Sequence, residues 1–409
     1  MYTADTVFRV QAFTRQPEGE DVIIGRIDTG VFLAVPSEAV EVLDHLSRGM
    51  AIGEAANLFQ DKYGEKPDLD EFLGVLESKG ILEPVVQGET AETRVAQAGQ
   101  APRVRYHFSN FSRSLAQRLF SRRVIAGSLA IVMLAFMAAA RNPSLIPRPR
   151  DLYFPDRRAL TWAILIGASY VTIFIHEFGH LVAARALGIN SRIGISHRLW
   201  YLVAETDLTG LWSVPKRQRY LPMLAGVLID AVSGSLLVLL LFAASRQWLT
   251  LPPLALRLAR AMAFSYMMRI LWQFFLFVRT DFYYVIASLF NCRNLLKDTQ
   301  GFLRNQLARM LPFIRSVDQS AIPASERRVI RAYSVVWLAG RVFAFILLFA
   351  VTIPLAILYI GNLAKTFRSG FRSDPSDFLD ALVVAAYFVI PTALGLTLWM
   401  GGLIRRTRS

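Results

Sequence analysis

A single cysteine, Cys292, stands in the 409 residues, so no intrachain disulfide is possible and packing must hold the fold. Charge is also scarce: Asp, Glu, Lys and Arg make up 19% of the chain, against about 25% in ordinary soluble domains. Acidic residues are the rarer sign, 31 against 45 basic ones. The shortage is local. Up to residue 95 there are 18 acidic and 8 basic residues, leaving 13 acidic and 37 basic for the remainder. The acidic first part argues against nucleic-acid binding there, because affinity for phosphates comes from Lys and Arg. Met1–Gln11 has no basic segment followed by an apolar one, so no cleavable signal peptide is expected. No internal repeat or strong low-complexity tract is found.

Apolar residues are abundant: 54% of the chain, with a mean hydropathy of +0.38. That excludes an ordinary soluble protein of this length. Six runs approach the roughly 20 apolar residues that cross a bilayer: Val124–Ala140, Leu160–Leu187, Tyr220–Ala244, Leu254–Val278, Val335–Ile360 and Phe378–Leu403. Arginines gather at Arg113, Arg118, Arg122 and Arg123 before the first run, in the Arg279–Arg331 loop, and at Arg405, Arg406 and Arg408. By the positive-inside rule both termini face the cytoplasm. Arg141–Arg158, with five arginines, runs against that orientation. The expected fold class is mainly α: a polytopic helical membrane core of about six transmembrane helices behind a small α/β domain.

Residues 1–84 form the expected small domain, 85–102 a polar linker, and 103–409 the membrane-embedded domain. Val22–Ile27 and Val31–Val35 read as strands joined at Asp28-Thr29-Gly30, which is hairpin chemistry. Ser37 is placed to cap a first helix and Ile52 opens a second. Asp68 with Glu71 forms a capping-box-like start to a third, which Gly80 ends before the short strand Ile81-Leu82. A hairpin followed by three helices is a winged-helix-like order.

His176-Glu177-Phe178-Gly179-His180 interrupts the second apolar run. Ionisable groups at membrane depth are costly and mark function. On a helix, residues four apart share a face, so both imidazoles can ligate one Zn²⁺ while Glu177 serves as general base toward a water that the metal activates. A catalytic site usually has a third protein ligand. Asp230 and Asp281 are the acids at membrane depth, Glu205 and Asp207 lie nearer an interface, and His197 is a weaker candidate. His45 and His107 read as solvent-facing.

These residues resemble the site-2 protease family of intramembrane zinc metalloproteases over most of residues 160–300. His176–His180 matches the first motif, including glycine before the second histidine. Thr280-Asp281-Phe282-Tyr283-Tyr284 is similar to the second motif, in which aspartate is normally followed by glycine and, in peptide-processing members, by two aromatics. The resemblance implies that Asp281 is the third zinc ligand, with Asp230 as the alternative, and that Phe282 replaces a glycine. Ala225-Gly226-Val227-Leu228-Ile229-Asp230 is similar to a segment that holds substrate backbone, with Val227 for proline and Asp230 for asparagine. Gly226 and Asp230 are therefore implied substrate-binding residues, and Asp230 can instead hydrogen-bond a ligating histidine.

The order of residues 1–84 resembles the peptide-recognition domain of ribosomal-peptide maturation systems, whose prototype is the peptide chaperone of pyrroloquinoline quinone biosynthesis. That resemblance implies a leader peptide added as a strand to the hairpin edge. The combined expectation is a zinc metalloendopeptidase of a bacterial cytoplasmic membrane, maturing a ribosomally made peptide or cutting a membrane-associated substrate. A regulatory protease acting on a substrate such as an anti-sigma factor is the alternative, and an inactive receptor or export partner is a third. The partners expected are a peptide or protein substrate and the lipid bilayer, not nucleic acid.

Overall fold

A computed structural model describes residues 2–85 except 20, 27, 28 and 66, and residues 108–152 except 109. It further describes 158–371 except 199, 200, 293, 312 and 321, and short pieces of 375–397. The expected linker lies almost wholly outside these residues, as does His107. Helix dominates, with twelve α-helices and three small sheets among the described residues.

The chain divides into two compact units. The first is Met1–Arg113 with Ala184–Arg192 and Asp207–Tyr220; the second is Ser114–Ala183, Ile193–Thr206 and Leu221–Ser409. The first unit thus takes in two segments from beyond residue 113.

In the first unit, β1 (Phe8–Val10) is followed by β2 (Thr14–Glu18), β3 (Asp21–Arg26) and β4 (Val31–Pro36). Strands β2, β3 and β4 form one antiparallel sheet in that order. The hairpin closes where expected: the Gly30 N–H donates to the Arg26 carbonyl at 2.9 Å, with φ +70° that glycine adopts without strain. Helices α1 (Ser37–Ser47), α2 (Ile52–Tyr63) and α3 (Leu69–Ser78) follow, then β5 (Leu82–Pro84), which pairs antiparallel with β1. Strands β1 and β2 were not foreseen, because three residues, or five including Pro17, carry too little alternation to register. Two caps differ from expectation. Pro36 is the N-cap of α1, so Ser37 already lies inside the helix, and Asp68 caps α3 without a side-chain hydrogen bond.

The core of this unit is apolar. Ile24, Val42, Leu43, Leu46, Leu73, Leu76, Ile81 and Leu82 are almost completely enclosed, each worth about 1.5–3 kcal/mol of burial. One charged pair is enclosed with it. Arg219 is fully buried, its Nη1 lies 2.8 Å from Glu18 Oε2, its Nε donates to the Val214 carbonyl at 2.9 Å, and its guanidinium stacks over Trp212. Glu18 ends β2, and the single-turn helix Thr209–Ser213 lies against β2, β3 and β4. Residues 207–220 therefore pack with the small sheet inside the first unit.

Wholly or for most of their length in the second unit are α4 (Arg113–Leu119), α5 (Arg122–Arg141), α6 (Arg158–Ala186), the paired strands β6 (Arg192–Arg198) and β7 (Tyr201–Asp207), α7 (Lys216–Ser245), α8 (Pro253–Trp272), α9 (Asp281–Leu289), α10 (Leu295–Met310), α11 (Ala324–Leu347) and α12 (Ile353–Ser369). Among the described residues four helical stretches are long and apolar enough to cross a membrane: Arg113–Arg141, Ile164–Ala186, Lys216–Ser245 and Glu326–Ala350. The expected span Leu254–Val278 is helical over Pro253–Trp272. It carries Arg257, Arg260 and Arg269 and falls short of that standard. The expected span Phe378–Leu403 falls in part outside the described residues.

Candidate metal centre

Helix α6 presents His176 and His180 one turn apart on one face, both buried. Their Nδ1 atoms are already engaged. His176 Nδ1 lies 2.9 Å from Asp230 Oδ2, and His180 Nδ1 lies 2.7 Å from the Pro222 carbonyl. A carbonyl can only accept, so His180 donates from Nδ1, which in the neutral imidazole leaves the lone pair on Nε2. The carboxylate of Asp230 fixes the same tautomer on His176.

The two Nε2 atoms face one another at 3.2 Å. Asp281 completes the group, its Oδ2 lying 3.2 Å from His176 Nε2 and 3.4 Å from His180 Nε2. That oxygen is buried and makes no hydrogen bond. With both imidazoles neutral, three lone-pair atoms converge here, an arrangement that a cation joining them would relieve. Zinc bonds of about 2.0–2.1 Å in a tetrahedron put neighbouring ligand atoms about 3.3–3.4 Å apart. The three separations match that edge length, so His176, His180 and Asp281 lie close enough to hold a metal ion.

Two glycines make room. A Cβ on Gly226 would stand 2.5 Å from His176 Nε2 and closer still to His180 Nε2, inside the space a metal would fill. A Cβ on Gly179 would collide with the Ile229 side chain, so glycine at 179 lets α7 approach α6 closely enough to bring Gly226 and Asp230 to the histidines. Beside them, Ala225 is completely buried.

Asp281 is the first residue of α9 and is held by its neighbours. Its N–H donates to Gln273 Oε1 at 3.0 Å. Thr280 is the N-cap: its hydroxyl accepts from the Tyr283 N–H and donates to the Gln273 carbonyl at 2.9 Å. Sequence reasoning did not single out Gln273 and gave Thr280 no role of its own. Phe282, where the resemblance called for glycine, sits in the first turn of α9 with ordinary helical backbone, its ring edge-on to Phe274 at 4.9 Å. A helical position has no need of glycine.

Glu177 occupies the turn between the histidines. The Thr206 hydroxyl lies 2.8 Å from Glu177 Oε2 and 2.8 Å from its backbone carbonyl, so strand β7 orients this carboxyl. Asp230 is 1% exposed and stands on the Nδ1 side of His176, away from the Nε2 atoms. Its other oxygen accepts from Arg269 Nη2 at 2.6 Å. Asp207 is not one of the three grouped residues; it accepts from the Thr209 N–H and pairs with Arg192, each at 3.1 Å. His197 falls in β6.

No family model matches this chain, and no curated protein or solved structure is significantly similar to it.

Proposed function

We propose that the protein is a membrane-embedded zinc metalloendopeptidase of the site-2 protease type. One observation carries the reading: three buried ligand atoms converge at tetrahedral edge distances while a glutamate on the intervening turn is held by Thr206. His176, His180 and Asp281 would hold the ion. A divalent ion there supplies Lewis acidity, polarising the scissile carbonyl and making water a better nucleophile near neutral pH. Glu177 then takes the proton from the attacking water and delivers it to the departing amine. Glycine at 226 keeps the space beside the two imidazoles free of a side chain, and Asp230 holds His176 in the ligating tautomer.

The four apolar helices, with Leu254–Val278 and Phe378–Leu403, make six spans in this reading, with both termini in the cytoplasm. The first unit acts as a winged-helix-like recognition domain for a ribosomally made peptide. Of the sheet's two edge strands, β2 contains Pro17, which has no N–H, and ends in Glu18 beside Arg219. Strand β4 is then the edge to which a peptide strand adds.

The test compares membranes of cells producing the wild-type chain with those producing Glu177→Gln, by labelling new peptide N-termini. The reading expects N-termini that appear only with the wild type. A zinc-loaded wild type that yields none would favour a non-enzymatic receptor.

A further inference from the structure

The sequence places an arginine, Arg269, in an otherwise apolar stretch of α8, where a cation costs kilocalories unless paired. It is paired. Arg269 Nη2 donates to Asp230 Oδ1 at 2.6 Å and Nη1 donates to Thr172 Oγ1 at 2.9 Å, while the guanidinium stacks on Tyr266 with its carbon 4.8 Å from the ring centre. The approach that permits this is built into the helices. A Cβ on Gly234 would stand 3.1 Å from Tyr266 Cβ, so glycine lets α7 and α8 close together there. One turn back along α7 is Asp230, and one turn on along α8 is Arg269. Thr172 lies one turn before His176 on α6.

The geometry points to Arg269 as the positioning residue of the metal centre. It acts through Asp230, fixing the carboxylate plane that in turn fixes the His176 ring. This rests on reading His176, His180 and Asp281 as a metal site. The reasoning is one of forks. A carboxylate with one oxygen on an imidazole can still pivot about its own bond. Its second oxygen is held by one tooth of a planar guanidinium, and the other tooth is held by Thr172 on the same helix as His176. The four groups Thr172, Arg269, Asp230 and His176 close a ring across three helices, and only a planar fork spans it. Lysine at 269 keeps the charge but has a single point donor. A mere counter-ion for Asp230 would be replaced by lysine without loss; a fork would not.

The experiment is zinc affinity of the full-length protein in detergent, measured by competition with a chromophoric chelator. Removing such an outer partner of a metal ligand typically weakens binding about 10–100-fold. Arg269→Lys and Arg269→Gln are expected to fall in that range. Asp230→Asn is expected to fall similarly, and adding Arg269→Gln to it should cost little more, because the arginine acts through the carboxylate. Thr172→Val, a nearly isosteric change, should weaken zinc in the same direction by up to about fivefold, the worth of one net hydrogen bond. Wild-type affinity in Arg269→Lys would overturn the proposal, as would wild-type affinity in Thr172→Val or multiplicative losses in the Asp230→Asn, Arg269→Gln double variant. A wild-type protein that binds no zinc would overturn the metal reading itself, a different result from a zinc-binding wild type indifferent to Arg269.

Discussion

Gly226→Ala isolates the metal centre with one methyl group. The added Cβ would stand 2.5 Å from His176 Nε2. Ordinary carbon–nitrogen contact needs about 3.4 Å or more, so the imidazole or the helix must give by close to 1 Å. Ligand positions in a working metal site tolerate only about 0.2 Å. The alternative is that α7 shifts away, which is resisted where Gly179 already sits against Ile229 and where Ala225 is fully buried. Helix propensity acts the other way, because alanine favours a helix interior by about 1 kcal/mol over glycine. Global unfolding should therefore change little while metal affinity falls by more than the roughly 10–100-fold that losing an outer partner of a ligand costs. Chelator competition gives the affinity, and thermal unfolding in the same detergent gives the stability. Gly226→Ala protein that binds zinc as tightly as the wild type would refute the placement of the ion between the two Nε2 atoms.

Other substitutions test other links. Glu177→Gln should retain zinc and lose cleavage, since it removes the base and leaves the ligand atoms in place; retained turnover in zinc-loaded protein would sink the assigned role. His180→Ala and Asp281→Ala should each lower bound zinc sharply, as measured by elemental analysis. Leu43→Ala, in the enclosed core of the small domain, should destabilise it by about 2–5 kcal/mol, read as faster amide exchange in α1 and β3. Arg15 pairs with Asp44, and the guanidinium hydrogen bond holds that carboxyl below the usual carboxylate range. A lowered folded value gives stability that is present above the unfolded pKa of about 3.9 and lost as pH falls through the folded one. Arg15→Ala should therefore cost roughly 0.2–1 kcal/mol at neutral pH, as exposed pairs do. In amide exchange of the full chain that gap should close below about pH 4.

The metal group was legible in the sequence because its chemistry is local. His176 and His180 are one helical turn apart, and Asp281 was one of few acids at membrane depth. The resemblance chose it over Asp230; residue spacing alone did not. The two acids approach the same imidazole from opposite sides, Asp230 at Nδ1 and Asp281 at Nε2, and nothing in their spacing says which. Arg269 carried a signal that went unread: one arginine on an apolar helix face implies a buried acid elsewhere. Gln273, Thr280 and Thr206 carried none, being ordinary polar residues until the tertiary fold aims them. In the small domain the helices and the central hairpin followed from periodicity and from Gly30. Strands β1 and β2 escaped because their partners are distant or their alternation is short. The docking of Glu18 on Arg219 joins residues 201 positions apart, which no local pattern records.

Zinc X-ray absorption of the purified, metal-loaded protein tests the central claim most directly. The account predicts two imidazole nitrogens at about 2.0–2.1 Å, one carboxylate oxygen at about 2.0–2.2 Å and a further light-atom position not supplied by the protein. The spectrum should be unchanged in Glu177→Gln and lose one imidazole in His180→Ala. A six-coordinate, all-oxygen environment, or a wild-type spectrum indifferent to His180→Ala, would contradict it.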